Sequence, residues 1–505
     1  MSVFKKLAGQ TVIYGSSSII GRFLNFLLTP LYALQFTNEQ YGIITEMYAY
    51  VAFLVVLLTY GMETSYFRFS TLKENQTKNV YSNTLYSLLT TSSLFVVIIT
   101  IFSQDIANWL QYPNHFEYII WFGIIVALDA VSSIPLAKLR SEAKAKKFAL
   151  VNFTNVGINI ALNLFFIYYC KSNFEAGNAN WIIAHLYNPE IGVGYVFISN
   201  LISSIIKFLV LFPEMEFKGR YDLGLLKKMF SYSLPMLFVG LAYVINETLD
   251  RAMLKNILFE LNLTEGFDSS EALTKALEQN GIYGANYKIT MIVTMFIQAF
   301  RYASEPFFFK NESDKNSKEI ISKMMTYFVI VLVFIFLLIT LYLHLFKYFI
   351  PNETYWTGLN VVPILLGANI CLGLYTTLSI WYKLSSKTIF GAYISGFGAL
   401  LTLALNYMLI PKFGFEGCAY TTLACYFSMM VISYITGRKY YPIPYNIKRI
   451  LFYILIGGLL YSISLTFDPF EMYSWKEFLY QSALLLTFVV IVYIKELRKE
   501  KVVIS

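Results

Sequence analysis

Apolar residues run along this chain in stretches of about 20, broken by short segments that carry most of the charge. A helix of that length crosses the ~30 Å hydrocarbon layer of a bilayer. Fourteen such spans are predicted, the first eight near 10–36, 41–63, 83–103, 117–138, 148–170, 191–212, 229–256 and 281–309. The other six lie near 323–350, 359–382, 388–410, 415–437, 449–466 and 477–494. The alternating ten-residue segments of a membrane barrel are missing, so the predicted fold class is an all-α polytopic membrane protein.

The charges follow the spans. Of the 39 Lys and Arg, 28 fall on the two termini and on alternate loops, and 7 on the intervening loops. With residues near span ends counted with the adjoining loop, Arg251 and Lys255 among them, the remaining four are Arg22, Lys207, Lys288 and Arg301, inside spans. Positive residues collect on the cytoplasmic side, which predicts both termini there. Composition then excludes an ordinary soluble protein: 14% of the 505 residues are charged, against about 25% in soluble domains. A net charge of +8 would suggest nucleic acid in a soluble chain; here topology accounts for it. The four cysteines form no CxxC pair and the three histidines no ligand spacing, so no metal site is expected. The opening MSVFKKLAGQTVIYG lacks a small-residue cleavage site and reads as the entry to span 1. The largest outward loop, near 257–280, is about two dozen residues, too short for a catalytic domain.

Weak internal echoes recur in order. A shift of 242 aligns Tyr41-Gly42 with Tyr283-Gly284, Glu63 with Glu305 and Arg68 with Lys310. A shift of 243 aligns Ala161-Leu162-Asn163 with Ala404-Leu405-Asn406, and one of 225 aligns Gly192 and Tyr195 with Gly417 and Tyr420. They predict two parallel six-helix bundles, 1–212 and 213–440, related by a pseudo-two-fold axis along the membrane normal. Residues 441–505 then add two spans and a cytoplasmic tail.

Charged residues at mid-bilayer are costly and usually face a cavity or a partner. Arg22 lies about 18 Å into span 1, with Asn25 and Thr29 following on one face and Pro30 predicted to bend the helix. Either Arg22 serves a ligand, or it pairs with Asp129 at similar depth in span 4. Span 7 carries Asn246, Glu247, Asp250 and Arg251, with Glu247 and Arg251 at i, i+4 spacing. Span 8 holds Lys288, Arg301 and Glu305. Arg22, Asn25, Lys288 and Arg301 are candidate substrate-binding residues, forming a cationic site for phosphate if they face one cavity. Asp129, Glu247, Asp250, Glu63 and Glu305 are candidate coupling or gating residues. Lys207 sits where it can snorkel to the cytoplasmic surface.

Residues 14–36, YGSSSIIGRFLNFLLTPLYALQF, and the following NEQYGIITEMYAYVAFLVVLLTYGMETSYFRFS resemble the opening of bacterial Wzx-type polysaccharide (O-antigen) flippases. ALNYMLIPKFGFEGCAYTTLACY at 404–426 is similar to the corner between spans 11 and 12 in the wider multidrug/oligosaccharidyl-lipid/polysaccharide exporter superfamily. The resemblance implies two bundles around a central cavity, alternately open to either side. It implies translocation of an undecaprenyl-diphosphate-linked oligosaccharide from the inner to the outer leaflet of the bacterial inner membrane, for surface polysaccharide or lipopolysaccharide. The implied partners are that lipid-linked substrate, membrane lipids and a polysaccharide polymerase machinery. Arg22 matches the family's span 1 arginine by its setting, which implies a diphosphate contact. No cofactor is expected, and H+ or Na+ coupling is open. The alternative on the same fold is a cation-coupled multidrug (MATE-like) exporter. A membrane glycosyltransferase would need outward catalytic carboxylates, and the first outward loop holds only Glu39, so an enzyme is not expected.

Overall fold

The structure is a computed structural model of the full chain, described at residues 19–70, 77–178, 180–217, 219, 221–310, 316–385, 387–466 and 474–497. Its principal helices are α1 (Leu28–Gln35, preceded by a helical segment at 19–26), α2 (Asn38–Thr59), α3 (Thr77–Ile101), α4 (Phe116–Ser141) and α5 (Ala145–Asn163). Next come α6 (Gly194–Leu211), α7 (Leu223–Thr264), α8 (Ser269–Lys310), α9 (Ser317–Leu341) and α10 (Val361–Leu378). The last four are α11 (Ile389–Phe413), α12 (Phe415–Tyr440), α13 (Ile447–Thr466) and α14 (Trp475–Val492). No strand occurs among the described residues. Among the described residues twelve helices are long and apolar enough to cross a membrane, and they match predicted spans 2–7 and 9–14 in order. Span 8 is α8, whose in-span Lys288 and Arg301 dilute its hydropathy. Span 1 is described from residue 19 onward. The chain is thus an all-helical, multi-pass membrane protein.

Local chemistry explains where helices start and stop. Thr37 and Gln40 form a capping box at the head of α2: the Thr37 hydroxyl accepts from the Gln40 amide, and the Gln40 side chain accepts from the Thr37 amide. The Asp222 carboxylate caps α7, accepting from the amides of Gly224 and Leu225. The first helix breaks at Leu27, because Pro30 has no N–H for the carbonyl of Phe26. The break moves Thr29 into the core, 3% exposed, while Arg22 and Asn25 stay exposed. The predicted polar stripe therefore ends at Asn25.

The outward loop predicted at 257–280 is instead a helical hairpin. Both α7 and α8 have 42 residues, about 63 Å at 1.5 Å per residue, twice the hydrocarbon thickness. Only Glu265–Asp268 separates them, with Gly266 at φ 95°. The Asp268 carboxylate accepts from the amides of Ser270 and Glu271, both at 2.9 Å, so α8 starts there. The polar residues between spans 7 and 8 predict a loop, but they include helix formers and this cap.

The chain divides into two compact units: Met1–Gly284 with Ala399–Cys418, and Ala285–Gly398 with Ala419–Ser505. The predicted division at 212 and 440 concerns repeats, which compactness does not address. In the first unit, Tyr48, Tyr118, Phe122 and Phe197 interlock, with Phe122 and Phe197 centroids 4.6 Å apart. Helices α2 and α8 approach closely there. A Cβ on Gly281 would lie 1.9 Å from the Asn38 carbonyl oxygen, and one on Gly42 2.0 Å from that of Leu277. Small residues permit such backbone contact between membrane helices. In the second unit, Gly457 of α13 lets Val333 of α9 pack against it, and Trp381 stacks on Tyr440. No disulfide joins the four cysteines: Cys170, Cys418 and Cys425 are buried and Cys371 half-buried.

Candidate functional site

Three ion pairs lie inside the first unit, each joining groups that the spans bury. In the first, Lys207 of α6 donates to Asp129 of α4 at 2.5 Å, and the Ser204 hydroxyl donates to the same carboxylate oxygen at 3.1 Å. Lys207 thus turns inward to Asp129 instead of snorkelling. Asp129, weighed above as a partner for Arg22, has Lys207 for its cation.

The second pair is on α7. Arg251 donates to Asp250 at 3.0 Å and to the backbone carbonyl of Glu247. The other Asp250 oxygen accepts from the Tyr283 hydroxyl of α8 at 2.6 Å, and the Arg251 guanidinium lies 5.8 Å from the Tyr283 ring. The carboxylate partner of Arg251 is thus its neighbour, with the predicted i, i+4 residue Glu247 supplying a carbonyl. Asn246 accepts from the Thr402 hydroxyl at 3.1 Å, tying α7 to α11.

The third pair was not foreseen from sequence. Glu46 of α2 and Lys255 of α7 are both 0% exposed, with Nζ and Oε1 3.5 Å apart. Tyr112 donates to the other Glu46 oxygen at 2.5 Å, and Tyr50 to Oε1 at 3.1 Å. The Asn256 amide donates in turn to the Tyr50 hydroxyl. Lys255 also donates to the Leu110 carbonyl at 2.8 Å and to the Gln111 side chain. That side-chain bond accompanies a left-handed Gln111 backbone, φ 62°. Burial, with the negative charge of Glu46 second, pushes the Tyr112 hydroxyl well above its usual pKa, so it keeps its proton and donates. An acid at position 46, inside predicted span 2 and away from its ends, was the signal available for this site.

The cationic candidates stand apart from these pairs. Arg22 is exposed, with no carboxylate partner among the described residues, and Asn25 beside it is also exposed. Lys288 is half-buried in the second unit. Arg301, also in that unit, lines a small cleft with Ser304, Thr376 and Ser379 and lies 5.7 Å from the Tyr302 ring. The Glu305 side chain lies outside the described residues. Glu63 meets Arg140 at 2.6 Å, next to a basic–acidic cluster in which Lys138 donates to Glu216 at 2.6 Å and Lys144 to Glu142 at 2.7 Å. The Glu63–Arg140 pair is a third exposed, and such pairs contribute at most about 1 kcal/mol. Glu63→Gln is therefore expected to leave unfolding stability within about 1 kcal/mol of the parent protein, as measured by denaturation in micelles. Among the described residues no three His, Cys, Asp or Glu side chains gather as a metal site.

Residues 7–312 match the family described as "Polysaccharide biosynthesis protein". Among solved structures, the fold resembles the lipid II flippase MurJ in an inward closed conformation, with a TM-score of 0.68 and 13% identity over 95% of this chain and 99% of that one. It also resembles an inward-facing MATE multidrug resistance transporter of the MOP superfamily, with a TM-score of 0.63 and 13% identity over 82% and 93% of the two chains. A third likeness is to a MATE structure in complex with MaD3S, at a TM-score of 0.59 and 12% identity over 86% and 95%. At these identities the likeness establishes the fold, that of MOP-superfamily transporters. No curated protein matches the sequence.

Proposed function

Because this chain belongs to the polysaccharide biosynthesis protein family, we propose that it is a Wzx-type flippase. It moves an undecaprenyl-diphosphate-linked oligosaccharide from the inner to the outer leaflet of the bacterial inner membrane, with both termini cytoplasmic. The observation that carries this reading is Arg22. The in-span cations Lys207, Arg251 and Lys255 each meet a carboxylate, whereas Arg22 is exposed without one among the described residues. A guanidinium in that state suits a diphosphate, which it grips with paired, charge-assisted hydrogen bonds. Asn25, one turn away, supplies an amide donor, and Lys288 and Arg301 are proposed as further phosphate-binding cations. A negative-inside potential aids outward movement of the anion by about 2.3 kcal/mol per charge per 100 mV. Asp129, Asp250 and Glu63 serve as lockable ion pairs; Glu247 and Glu305 are the proposed coupling groups for H+ or Na+.

The MATE-like alternative draws on the other fold neighbours. A cation exporter needs carboxylates open to its substrate, and Glu46, Asp129 and Asp250 already hold lysine or arginine. The test labels lipid-linked oligosaccharide in cells lacking the protein and asks which leaflet holds it. Accumulation in the inner leaflet is expected, with Arg22→Ala restoring at least tenfold less flipping than the parent, the loss of one charged hydrogen bond of about 1.5–3 kcal/mol. An unchanged leaflet distribution in a strain with no second flippase, or full rescue by a well-inserted Arg22→Ala, would reject this function.

A further inference from the structure

One cavity lies away from the three buried ion pairs and the cationic candidates. It occupies about 270 Å³ within the first unit, where the end of α1 and the head of α2 meet the chain leaving α5 and entering α6. Aromatic rings form its walls. Phe166 stacks on Tyr195 with centroids 4.6 Å apart and planes 20° apart, and Tyr195 stacks on Tyr187 at 5.1 Å and 15°. Phe174, 41% exposed, leans on Tyr187 at 5.6 Å. Phe166 reaches this position from a π-helical segment, Leu164–Cys170, and π-helical turns are rare and often mark functional sites.

The polar groups of the cavity are as specific as its rings. Lys171 lies 5.2 Å from the Phe36 ring and 3.9 Å from the Glu175 carboxylate, so the pair carries no net charge. Gln40 uses its carbonyl oxygen to cap α2, and its amide nitrogen donates to nothing among the described residues. Donors, an acceptor and flat rings therefore surround a space suited to one small ring.

We propose that this cavity binds a neutral sugar ring. A pyranose has one face of C–H groups, which fits the electron-rich face of an aromatic ring, and a rim of hydroxyls that accept from Lys171 and Gln40 and donate to Glu175. An acyl chain would strip water from Lys171, Glu175 and Gln40 and return no hydrogen bond. A phosphate would meet the Glu175 carboxylate. The proposal rests on the flippase reading, under which this end of α5 and α6 faces outward and holds a sugar unit as the glycan emerges.

The test is saturation-transfer NMR on the full chain in lipid nanodiscs, with the methyl pyranosides of glucose, galactose, mannose and N-acetylglucosamine as probes. At least one is expected to give a saturable signal in the millimolar range. Tyr187→Ala is expected to lower it at least fivefold, and Glu175→Gln, at an exposed side chain that folding does not need, severalfold. Tyr187→Phe keeps the ring and should keep the signal, as should Trp181→Ala, an exposed aromatic on the same segment outside the cavity. No saturable signal from any glycoside, a signal indifferent to Tyr187→Ala and Glu175→Gln, or displacement by inorganic phosphate would each overturn the proposal. The leaflet assay is independent of this one. Sugar binding without flipping would remove only the flippase reading, and flipping without sugar binding would remove only this site.

Discussion

Lys255→Met is expected to cost the folded protein about 3–5 kcal/mol, the loss typical of breaking a fully buried ion pair. The physical reason is what remains. Glu46 loses its cation in a space 0% exposed, and must either hold a charge with only the hydroxyls of Tyr112 and Tyr50 or take up a proton, both unfavourable. The Leu110 carbonyl and the Gln111 amide oxygen lose their donor in the same change. Adding Glu46→Gln removes the stranded charge while its amide oxygen still accepts from Tyr112, so the double variant is expected to recover at least half of the loss. Reversible unfolding in mixed micelles of increasing SDS content measures both. A single variant within about 1 kcal/mol of the parent would mean that the pair does not hold α2 to α7.

Gly281→Ala is expected to be as damaging, by a different cause. Overpacking normally costs about 1–3 kcal/mol because side chains yield. Here the added carbon would meet the Asn38 carbonyl oxygen at 1.9 Å and the Gly42 nitrogen at 2.9 Å, which are backbone atoms, so whole helices must separate. A loss above about 3 kcal/mol, or failure to recover folded protein, is the expected result. Gly157→Ala is the matched control. Nothing lies within 4 Å of its added Cβ, and a helical alanine is favoured over glycine by up to about 1 kcal/mol, so stability should hold or rise. Equal losses at both positions would assign the effect to helix propensity and not to the crossing.

That crossing carries a repeat seen in the sequence. Tyr41-Gly42 and Tyr283-Gly284 align at a shift of 242, and Gly42 and Gly284 both lie where α2 meets α8, Gly284 against Thr45. The spans were legible for a simple reason: hydrophobic length is a local property, and twelve of the fourteen recur as membrane-length apolar helices. Partners were not legible. Depth in a span made Asp129 a plausible mate for Arg22, yet depth does not tell which helices are neighbours, and Lys207 is the residue α6 brings to it. Glu46 and Lys255 are harder still, because no periodicity links residues about 200 positions apart. Lys255 falls at the very end of predicted span 7, where the sequence predicts an interfacial charge, and the helix running on to Thr264 keeps it buried inside the protein. The hairpin at 265–268 was missed because polar residues were equated with loop, whereas their spacing caps and continues helices.

The order in which Glu46 acquires its partners has a consequence for synthesis. Tyr50 follows it within a helical turn, Tyr112 arrives with the fourth span, and Lys255 is made last. At 5–20 residues per second, roughly 10–40 s separate the emergence of the carboxylate from that of its ammonium partner. For that interval the nascent chain holds an acid in its second span with hydroxyls alone to satisfy it. A chain that ends before Lys255 would therefore hold α2 with an acid whose cation is still missing, and the bundle gains that pairing only once α7 is made.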